Sequence, residues 1–313
     1  MRVAVSLVLR LLPVLQARLR LPAAYAHRSA APGMSTATLM LACLAAGLAA
    51  CATVPTPQAR RDAADALARA QGWQAQAIPA GAFTLLAYLP AKAPADPADT
   101  LTVYIEGDGL AWITSSQPSD DPTPRDPLAL RLALAQPGGK AAYLGRPCQY
   151  LRQQNAACGS RYWTSARFAA EIVEASNRAL DQLKQTTASR RLILVGHSGG
   201  GAVAALLAAR RTDVERLVTI AGNLDHRAWT TRLRLSPLTA SLNPADEIPA
   251  LRQLPQWHFA GGKDKAIAAD LVRDFAAAFP PGAPVHVVVE PDYDHHCCWA
   301  ENWSRLYRMA VAR

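Results

Sequence analysis

The sequence lacks several features that would assign it to other classes of protein. Its 313 residues show no repeating period, which argues against a solenoid. Lys and Arg exceed Asp and Glu by 33 to 24, but beyond residue 50 the basic residues form no cluster with interleaved aromatic residues. The electrostatic footprint of a nucleic-acid-binding protein is therefore missing, and we expect no nucleic-acid partner. Half of the residues are hydrophobic, which is typical of a globular chain.

The N-terminal 50 residues contain arginines but no acidic residue. An apolar run at residues 37–50 is too short to cross a bilayer and has the length of a signal-peptide core. The run ends in Leu-Ala-Ala before Cys51, which resembles the lipobox of bacterial lipoproteins, whose cysteine carries the lipid and becomes the mature N-terminus. We therefore predict a signal peptide over residues 1–50, lipidation of Cys51 and a tether over residues 51–60. Met34 is an alternative start that leaves the same mature terminus.

This N-terminus predicts a protein of the bacterial cell envelope, held to a membrane by its lipid and facing the periplasm. In that oxidising compartment, the even number of cysteines that remain after Cys51 predicts two disulfides. Pairing of Cys148 with Cys158 is the first choice because it closes a short surface loop. The adjacent Cys297 and Cys298 either form a bridge or stay reduced, and the sequence leaves both open.

After residue 60, short β-rich runs alternate with segments of helical spacing. The predicted strands are residues 83–89, 101–106, 142–145, 192–195, 217–221, 257–260 and 285–289, and the predicted helices are 165–183, 200–211, 267–279 and 299–311. This order predicts one α/β domain over residues 61–313, with a doubly wound, mainly parallel sheet and helices on both faces. Little chain lies between the fifth and sixth predicted strands, so we expect a small cap or none, with the irregular stretch 107–127 as cover of the site.

The motif Gly-His-Ser-Gly-Gly at residues 196–200 follows a buried-strand run and precedes an Ala-rich helix. A strand that turns into a helix within two residues forces the central serine into a strained conformation and leaves room only for small neighbours. Such an elbow lifts the Ser198 hydroxyl above the sheet edge. The N–H of Gly199 and the helix N-terminus then point to the place where an oxyanion would form. Ser198 is the candidate nucleophile.

A serine nucleophile needs a histidine base and a carboxylate, which in this arrangement follow the serine in the order acid, then histidine. Asp264 follows the strand at residues 257–260 and is the candidate acid, with Asp225, after the preceding strand, as the alternative. His295 and His296 follow the last strand. We favour His295 as the base because of its place after the turn.

A second oxyanion donor is expected in the loop after the strand at residues 101–106, where the N–H of Asp108 is the first candidate and that of Gly109 the second. We expect Trp112, Tyr150 and Trp163 to pack in the core, with an apolar substrate wall as the alternative role. The run from Asp294 to Cys298 has residue types that could bind zinc, but adjacent cysteines seldom converge on one ion. We expect neither a metal nor another cofactor.

Five blocks of the sequence, at residues 104–109, 121–124, 145–150, 196–200 and 295–299, resemble those of α/β-hydrolases, and more narrowly those of a group of bacterial α/β-hydrolase lipoproteins. The resemblance runs from Phe83 to the C-terminus. It implies the α/β-hydrolase fold and the triad roles, but no substrate.

The sequence as a whole thus predicts a monomeric serine hydrolase that acts on a small-molecule or lipid-like ester, thioester or amide through an acyl-enzyme. Two alternatives remain. One is an acyltransferase that uses the same triad, and the other is a non-catalytic binding lipoprotein of the envelope.

Overall fold

The computed structural model describes residues 54–92 and 99–311, and the predicted signal peptide and Cys51 lie outside these residues. Its strands are β1 (Trp73–Ala80), β2 (Phe83–Pro90), β3 (Thr100–Ile105), β4 (Lys140–Leu144), β5 (Arg191–His197), β6 (Val214–Ile220), β7 (Gln256–Gly261) and β8 (Val285–Glu290). Its helices are α1 (Pro57–Ala70), α2 (Leu128–Leu134), α3 (Ala170–Thr186), α4 (Gly199–Ala208), α5 (His226–Leu233), α6 (Ile248–Leu251), α7 (Ala269–Ala277) and α8 (Trp303–Val311).

The strands form one sheet in the order β1-β2-β4-β3-β5-β6-β7-β8. β1 and β2 pair antiparallel, β2 and β4 pair antiparallel, and every further pair from β4 to β8 is parallel. The prediction of a mainly parallel, doubly wound sheet is confirmed. Because β3 to β8 all share one direction, their carboxyl ends meet at one edge of the sheet, where ligands of such folds bind.

Helices cover both faces of this sheet, as the sequence predicts. On one face, Leu101 and Leu194 of the central strands pack with the buried residues of α3 and α4. On the other face, Tyr104 and Val195 pack with buried residues of α1, α2 and α8. The apolar runs of β3 and β5 therefore reflect strands that are buried on both sides, which is typical of parallel sheets.

The N-terminal boundary of the domain differs from the prediction. α1 begins at Pro57, so it includes the last four residues of the predicted tether at residues 51–60. The hydroxyl of Thr56 caps the helix by accepting the N–H of Ala59. From the same helix, the buried guanidinium of Arg60 donates to the carbonyl of Thr123 at 2.5 Å. α1 thus belongs to the domain and anchors the loop that precedes α2.

Among the strands and α-helices, five were not predicted from the sequence, namely α1, β1, α2, α5 and α6, and two predicted helices start too early. α3 begins at Ala170 rather than at residue 165, and α8 at Trp303 rather than at residue 299. The segment between β6 and β7 holds only short helices, in line with the expected small cap. No helix within residues 54–92 and 99–311 is both long and apolar enough to span a membrane.

The cysteines of the domain are paired within short loops. Cys148 is bonded to Cys158, the first choice from the sequence, with their Cα atoms 5.6 Å apart. The structure also joins the adjacent Cys297 and Cys298, which the sequence left open. The second pair follows His295 and His296 directly.

Candidate active site

The turn between β5 and α4 holds Ser198 in a backbone conformation that favours glycine, with φ 52° and ψ −120°. A side chain would not fit beside it. A Cβ atom on Gly196 would lie 2.3 Å from the carbonyl oxygen of Gly200, and one on Gly200 would lie 2.2 Å from that of Ile105. The packing of β5, α4 and β3 therefore requires glycine on both sides of the serine, and the strain at Ser198 is held by its surroundings.

The structure brings Ser198, His295 and Asp264 together in one chain of hydrogen bonds. His295 Nε2 lies 3.0 Å from Ser198 Oγ, and His295 Nδ1 lies 2.8 Å from Asp264 Oδ2. The Asp264 side chain is fully buried, and its Oδ1 accepts the N–H groups of Ala266 and Ile267 at 2.8 Å each. Because the carboxylate can only accept, Nδ1 of His295 carries a proton and Nε2 is free to accept the serine proton.

Asp225 and His296, the alternatives for the acid and the base, lie outside this chain of hydrogen bonds. Asp225 is the N-cap of α5, where its carboxylate accepts the N–H groups of Arg227 and Ala228. The ring of His296 lies 5.0 Å from that of His295 and makes no hydrogen bond to Ser198. Burial, with smaller effects from the rings of His295 and His197, lowers the pKa of His296. His296 is therefore a neutral neighbour of the triad at pH 7.

The backbone around His295 is fixed by residues that the sequence did not single out. His197, the second residue of the elbow motif, donates from Nε2 to the carbonyl of His295 at 3.1 Å. Trp299 donates its indole N–H to the carbonyl of Asp294 at 2.9 Å, and the carboxylate of Asp294 accepts the N–H of His296. The turn after β8 is thus held from both sides, which sets the direction of the His295 ring.

The two predicted oxyanion donors face each other across the elbow. A Cβ atom on Gly199 would lie 2.1 Å from Oδ1 of Asp108, so the loop after β3 packs directly on the start of α4. Within the described ranges, the backbone N–H groups of Asp108 and Gly199 donate to no protein acceptor. Both donors are therefore available to a ligand beside Ser198. The second candidate, Gly109, has a left-handed backbone conformation with φ 65°.

The carboxylate of Asp108 is held by two buried arginines, a feature that the sequence did not reveal. Arg167 donates to it at 2.6 Å and Arg146 at 3.3 Å, and each guanidinium side chain is about one-twentieth exposed. Burial by itself raises the pKa of Asp108, but the two guanidinium charges outweigh it and hold the pKa below its usual range. The backbone of Asp108 is thus fixed through an ionised side chain.

A cleft of about 450 Å³ surrounds the serine hydroxyl. Its walls are Ser198, His295 and His296 on one side and parts of the loop at residues 107–127 on the other, so that loop lines the site as expected. Trp112 contributes to this wall. Trp163 does not, because it is buried and donates its indole N–H to the carbonyl of Ser119, and Tyr150 contacts Tyr143 away from the cleft.

The described part of the chain contains no candidate metal site. No group of three or more His, Cys, Asp and Glu side chains there is placed to hold a metal ion.

No known family model and no curated protein matches the sequence. Solved structures do match the fold. Est1E from Butyrivibrio proteoclasticus aligns with a TM-score of 0.53 and 14% identity over 76% of this chain and 99% of its own. XC6422 from Xanthomonas campestris, described as an a/b serine hydrolase without lid, aligns with a TM-score of 0.51 and 12% identity over 76% of this chain and 93% of its own. The esterase Pf2001 from Pyrococcus furiosus aligns with a TM-score of 0.52 and 13% identity over 83% of this chain and 95% of its own. At these identities the likeness establishes a shared fold.

Proposed function

Since the chain has the α/β-hydrolase fold, we propose that it is a serine hydrolase that cleaves an ester-like bond, with Ser198 as nucleophile, His295 as base and Asp264 as the acid that orients it. The observation that carries the proposal is the unbroken hydrogen-bond chain from Ser198 through His295 to Asp264. An esterase and a serine hydrolase among the structures of the same fold support it.

In the proposed reaction, Ser198 Oγ attacks the carbonyl carbon while His295 Nε2 takes its proton. Asp264 stabilises the imidazolium that forms and keeps the ring in place. The negative charge that develops on the carbonyl oxygen is bound by the N–H groups of Gly199 and Asp108. His295 then gives its proton to the leaving group, and a water molecule, activated by the same histidine, releases the acyl group from Ser198.

We test this proposal with the soluble chain from residue 52 onward and nitrophenyl esters of graded acyl length. Ser198→Ala should abolish turnover and labelling by a fluorophosphonate. Asp264→Asn should lower kcat about 10⁴-fold, because the wrong tautomer of His295 is then favoured. Asp225→Asn is the matched control, since this carboxylate caps α5 and should leave kcat within a factor of two.

Hydrolysis that persists in Ser198→Ala would contradict the proposed nucleophile. An equal loss in Asp225→Asn and Asp264→Asn would contradict the proposed acid. If the acyl-enzyme is released faster by an added alcohol than by water, the chain acts as an acyltransferase with the same triad. If the wild-type protein neither turns over esters nor is labelled, the non-catalytic alternative applies.

We further propose that Cys51 carries a lipid and that the protein lies in the cell envelope, facing the periplasm. The support is the apolar run at residues 37–50 and the small residues before Cys51. Expression of the full chain in bacteria with a palmitate analogue should label the membrane fraction, and Cys51→Ser should remove the label. Labelling that survives this substitution would contradict the proposed attachment site.

A further inference from the structure

A second cavity, of about 770 Å³, lies beside the cleft that contains Ser198. Most of its large side chains are apolar and come from the loop after β3 and from the segment around α5: Trp112, Ile113, Trp229, Leu235 and Leu238. Serine and threonine side chains complete the walls. The only charged groups among the lining residues are Asp108 and Arg167, which neutralise each other at 2.6 Å. This cavity, here called the apolar cavity, falls in the size range of small-molecule sites.

The apolar cavity is continuous with the reaction site. Asp108, Gly109 and Trp112 line both it and the cleft around Ser198. Asp108 is also the proposed second oxyanion donor, so the apolar cavity begins at the carbonyl oxygen of a bound substrate. His295 does not line it.

Three of the six large hydrophobic side chains that are exposed in the described part of the chain line the apolar cavity. Trp112, Ile113 and Leu235 are 40%, 42% and 45% exposed. Such a concentration of apolar surface marks an interaction site, and because these side chains line a cavity beside Ser198, a small apolar ligand fits it better than a flat protein or membrane surface.

On the other side of the cleft lies a cavity of about 960 Å³ that is lined by more charged side chains than the apolar cavity. Asp126, His295 and His296 line both this cavity and the cleft. Its further charged side chains are of both signs: Arg131, Lys263, Lys265, Asp294 and Glu301. Arg131 pairs with Asp126 and Glu301, and the two lysines carry the positive charge outside these pairs. We call it the polar cavity.

The mechanism assigns the two halves of an ester to the two cavities. The leaving oxygen must lie within hydrogen-bond reach of His295 Nε2, which returns the proton to it. The alcohol half therefore enters the polar cavity, which His295 lines. The acyl half, bonded to the same carbonyl carbon, extends away from His295, past Asp108 and Trp112, into the apolar cavity.

From this geometry we infer that the substrate is an amphiphilic ester, formed by an aliphatic acyl chain of medium or greater length and a polar alcohol. The inference rests on the proposed function. The inference extends the proposed function by assigning the acyl-binding residues, above all Ile113 and Leu235, and the chemical character of both halves of the substrate.

The first test compares nitrophenyl acetate with nitrophenyl octanoate. A fully buried methylene contributes about fourfold to binding, so the six additional methylenes in a partly exposed cavity should raise kcat/KM at least tenfold. Ile113→Ser and Leu235→Ser should each lower the ratio of kcat/KM for octanoate to kcat/KM for acetate about fivefold. Leu67→Ser is the matched control, because Leu67 is 40% exposed on α1 and does not line the cavity.

A substitution that fills the cavity gives the opposite perturbation. Ser165 lines the apolar cavity, and its side chain makes no hydrogen bond to other described residues. Ser165→Phe should therefore exclude octanoate while acetate is still hydrolysed. Equal kcat/KM for both esters in the wild type, or an unchanged octanoate-to-acetate ratio in all three cavity variants, would overturn the inference.

Binding to the inactive Ser198→Ala variant separates this inference from the proposed function. Nitrophenyl octanoate should quench the fluorescence of Trp112 and Trp229 in this variant, and Ile113→Ser should weaken the binding at least fivefold. If the wild type hydrolyses no ester but this binding is found, the proposed function fails and the acyl site stands. If acetate is hydrolysed but octanoate does not bind, the acyl site fails and the proposed function stands.

The alcohol half is tested with two octanoate esters, glycerol monooctanoate and butyl octanoate. We expect a higher kcat/KM for the glycerol ester, because its hydroxyl groups remain hydrogen-bonded in the polar cavity. Faster hydrolysis of the butyl ester would overturn the assignment of a polar alcohol.

Discussion

Replacement of Asp108 by asparagine would remove the negative charge between the guanidinium groups of Arg146 and Arg167. Arg167 Nη1 and Arg146 Nη1 lie 2.6 and 3.3 Å from the two carboxylate oxygens. Asparagine keeps the shape of the side chain and the backbone N–H of residue 108. It accepts from one arginine at most, and its amide group faces the other with like polarity.

The expected loss of stability follows from the burial of these groups. Both guanidinium side chains are 5–6% exposed, so neither charge can be restored to water without opening the loop after β3. Removal of one partner from a buried ion pair costs about 3–5 kcal/mol, because the remaining charge is uncompensated. We therefore expect Asp108→Asn to lower the free energy of unfolding at pH 7 by about 3–5 kcal/mol, a large part of the 5–15 kcal/mol that is typical of a domain.

Urea unfolding followed by tryptophan fluorescence measures this difference. The two arginines hold the pKa of Asp108 below its usual range, so the ionised carboxylate contributes its full stabilisation above about pH 4, the pKa of an unfolded-state aspartate. This contribution is lost as the pH falls through the lowered folded-state pKa. The difference between wild type and variant should therefore be constant from pH 7 to pH 5 and should shrink at lower pH.

Asp246→Asn serves as the control, because Asp246 pairs with Arg227 at 2.7 Å on the exposed surface. Its loss should lower the stability by less than about 1 kcal/mol. If Asp108→Asn also lowers the free energy of unfolding by less than about 1 kcal/mol, the buried ion pair does not stabilise the fold as expected. Such a result would show that the carbonyl oxygens of Arg167 and Thr164, which also accept from the two guanidinium groups, compensate the buried charges without Asp108.

Two further predictions concern other buried positions. Burial lowers the pKa of His258 to about 3. Below about pH 6.5 the unfolded state therefore binds one more proton than the folded state. As the pH falls from 6.5 to 5, this residue should lower the free energy of unfolding by about 2 kcal/mol. Urea titrations at both pH values should show a smaller drop in the free energy of unfolding for His258→Gln than for the wild type. Gly196→Ala would place a Cβ atom 2.3 Å from the carbonyl oxygen of Gly200, and it should destabilise the fold by about 1–3 kcal/mol and slow the fluorophosphonate labelling of Ser198. Gly138→Ala, at a position with nothing within 4 Å, should change neither property, and equal effects of both substitutions would contradict this account of the elbow.

The parts of the fold that could be predicted from sequence are those in which the pattern of one segment decides its structure. β5 and β7 are short apolar runs that end in glycine-containing turns, and their place in the sheet follows from the alternation with helices. Chain order along parallel strands then predicts that Ser198, Asp264 and His295 meet at one edge. The structure brings these three residues together at that edge.

The missed elements have weak local signals. β1 reads Trp-Gln-Ala-Gln-Ala-Ile-Pro-Ala, with a proline and few β-branched residues, and it is a strand because it pairs along its whole length with β2 at the edge of the sheet. The polar sequence of α1 resembles a tether, and its only buried side chains are two alanines and Arg60. Tertiary contacts decide both cases.

The fine structure of the site could not be predicted for a similar reason. Asp225 and Asp264 both follow strands, and only the packing of the turn after β8 against β7 places Asp264 beside His295. The contact of Asp108 with Arg146 and Arg167 joins residues 38 and 59 positions apart. No periodicity or motif connects such distant positions.

The separation of the three site residues along the chain has a consequence for folding kinetics. Ser198 and His295 are 97 positions apart, and each follows a strand whose position depends on the strands between them. Contacts of such long range form slowly, because a large loop must close before they contribute any stability. During refolding from urea, reactivity of Ser198 towards a fluorophosphonate should therefore appear after the tryptophans are buried, and it reports the moment at which β8 has joined the sheet.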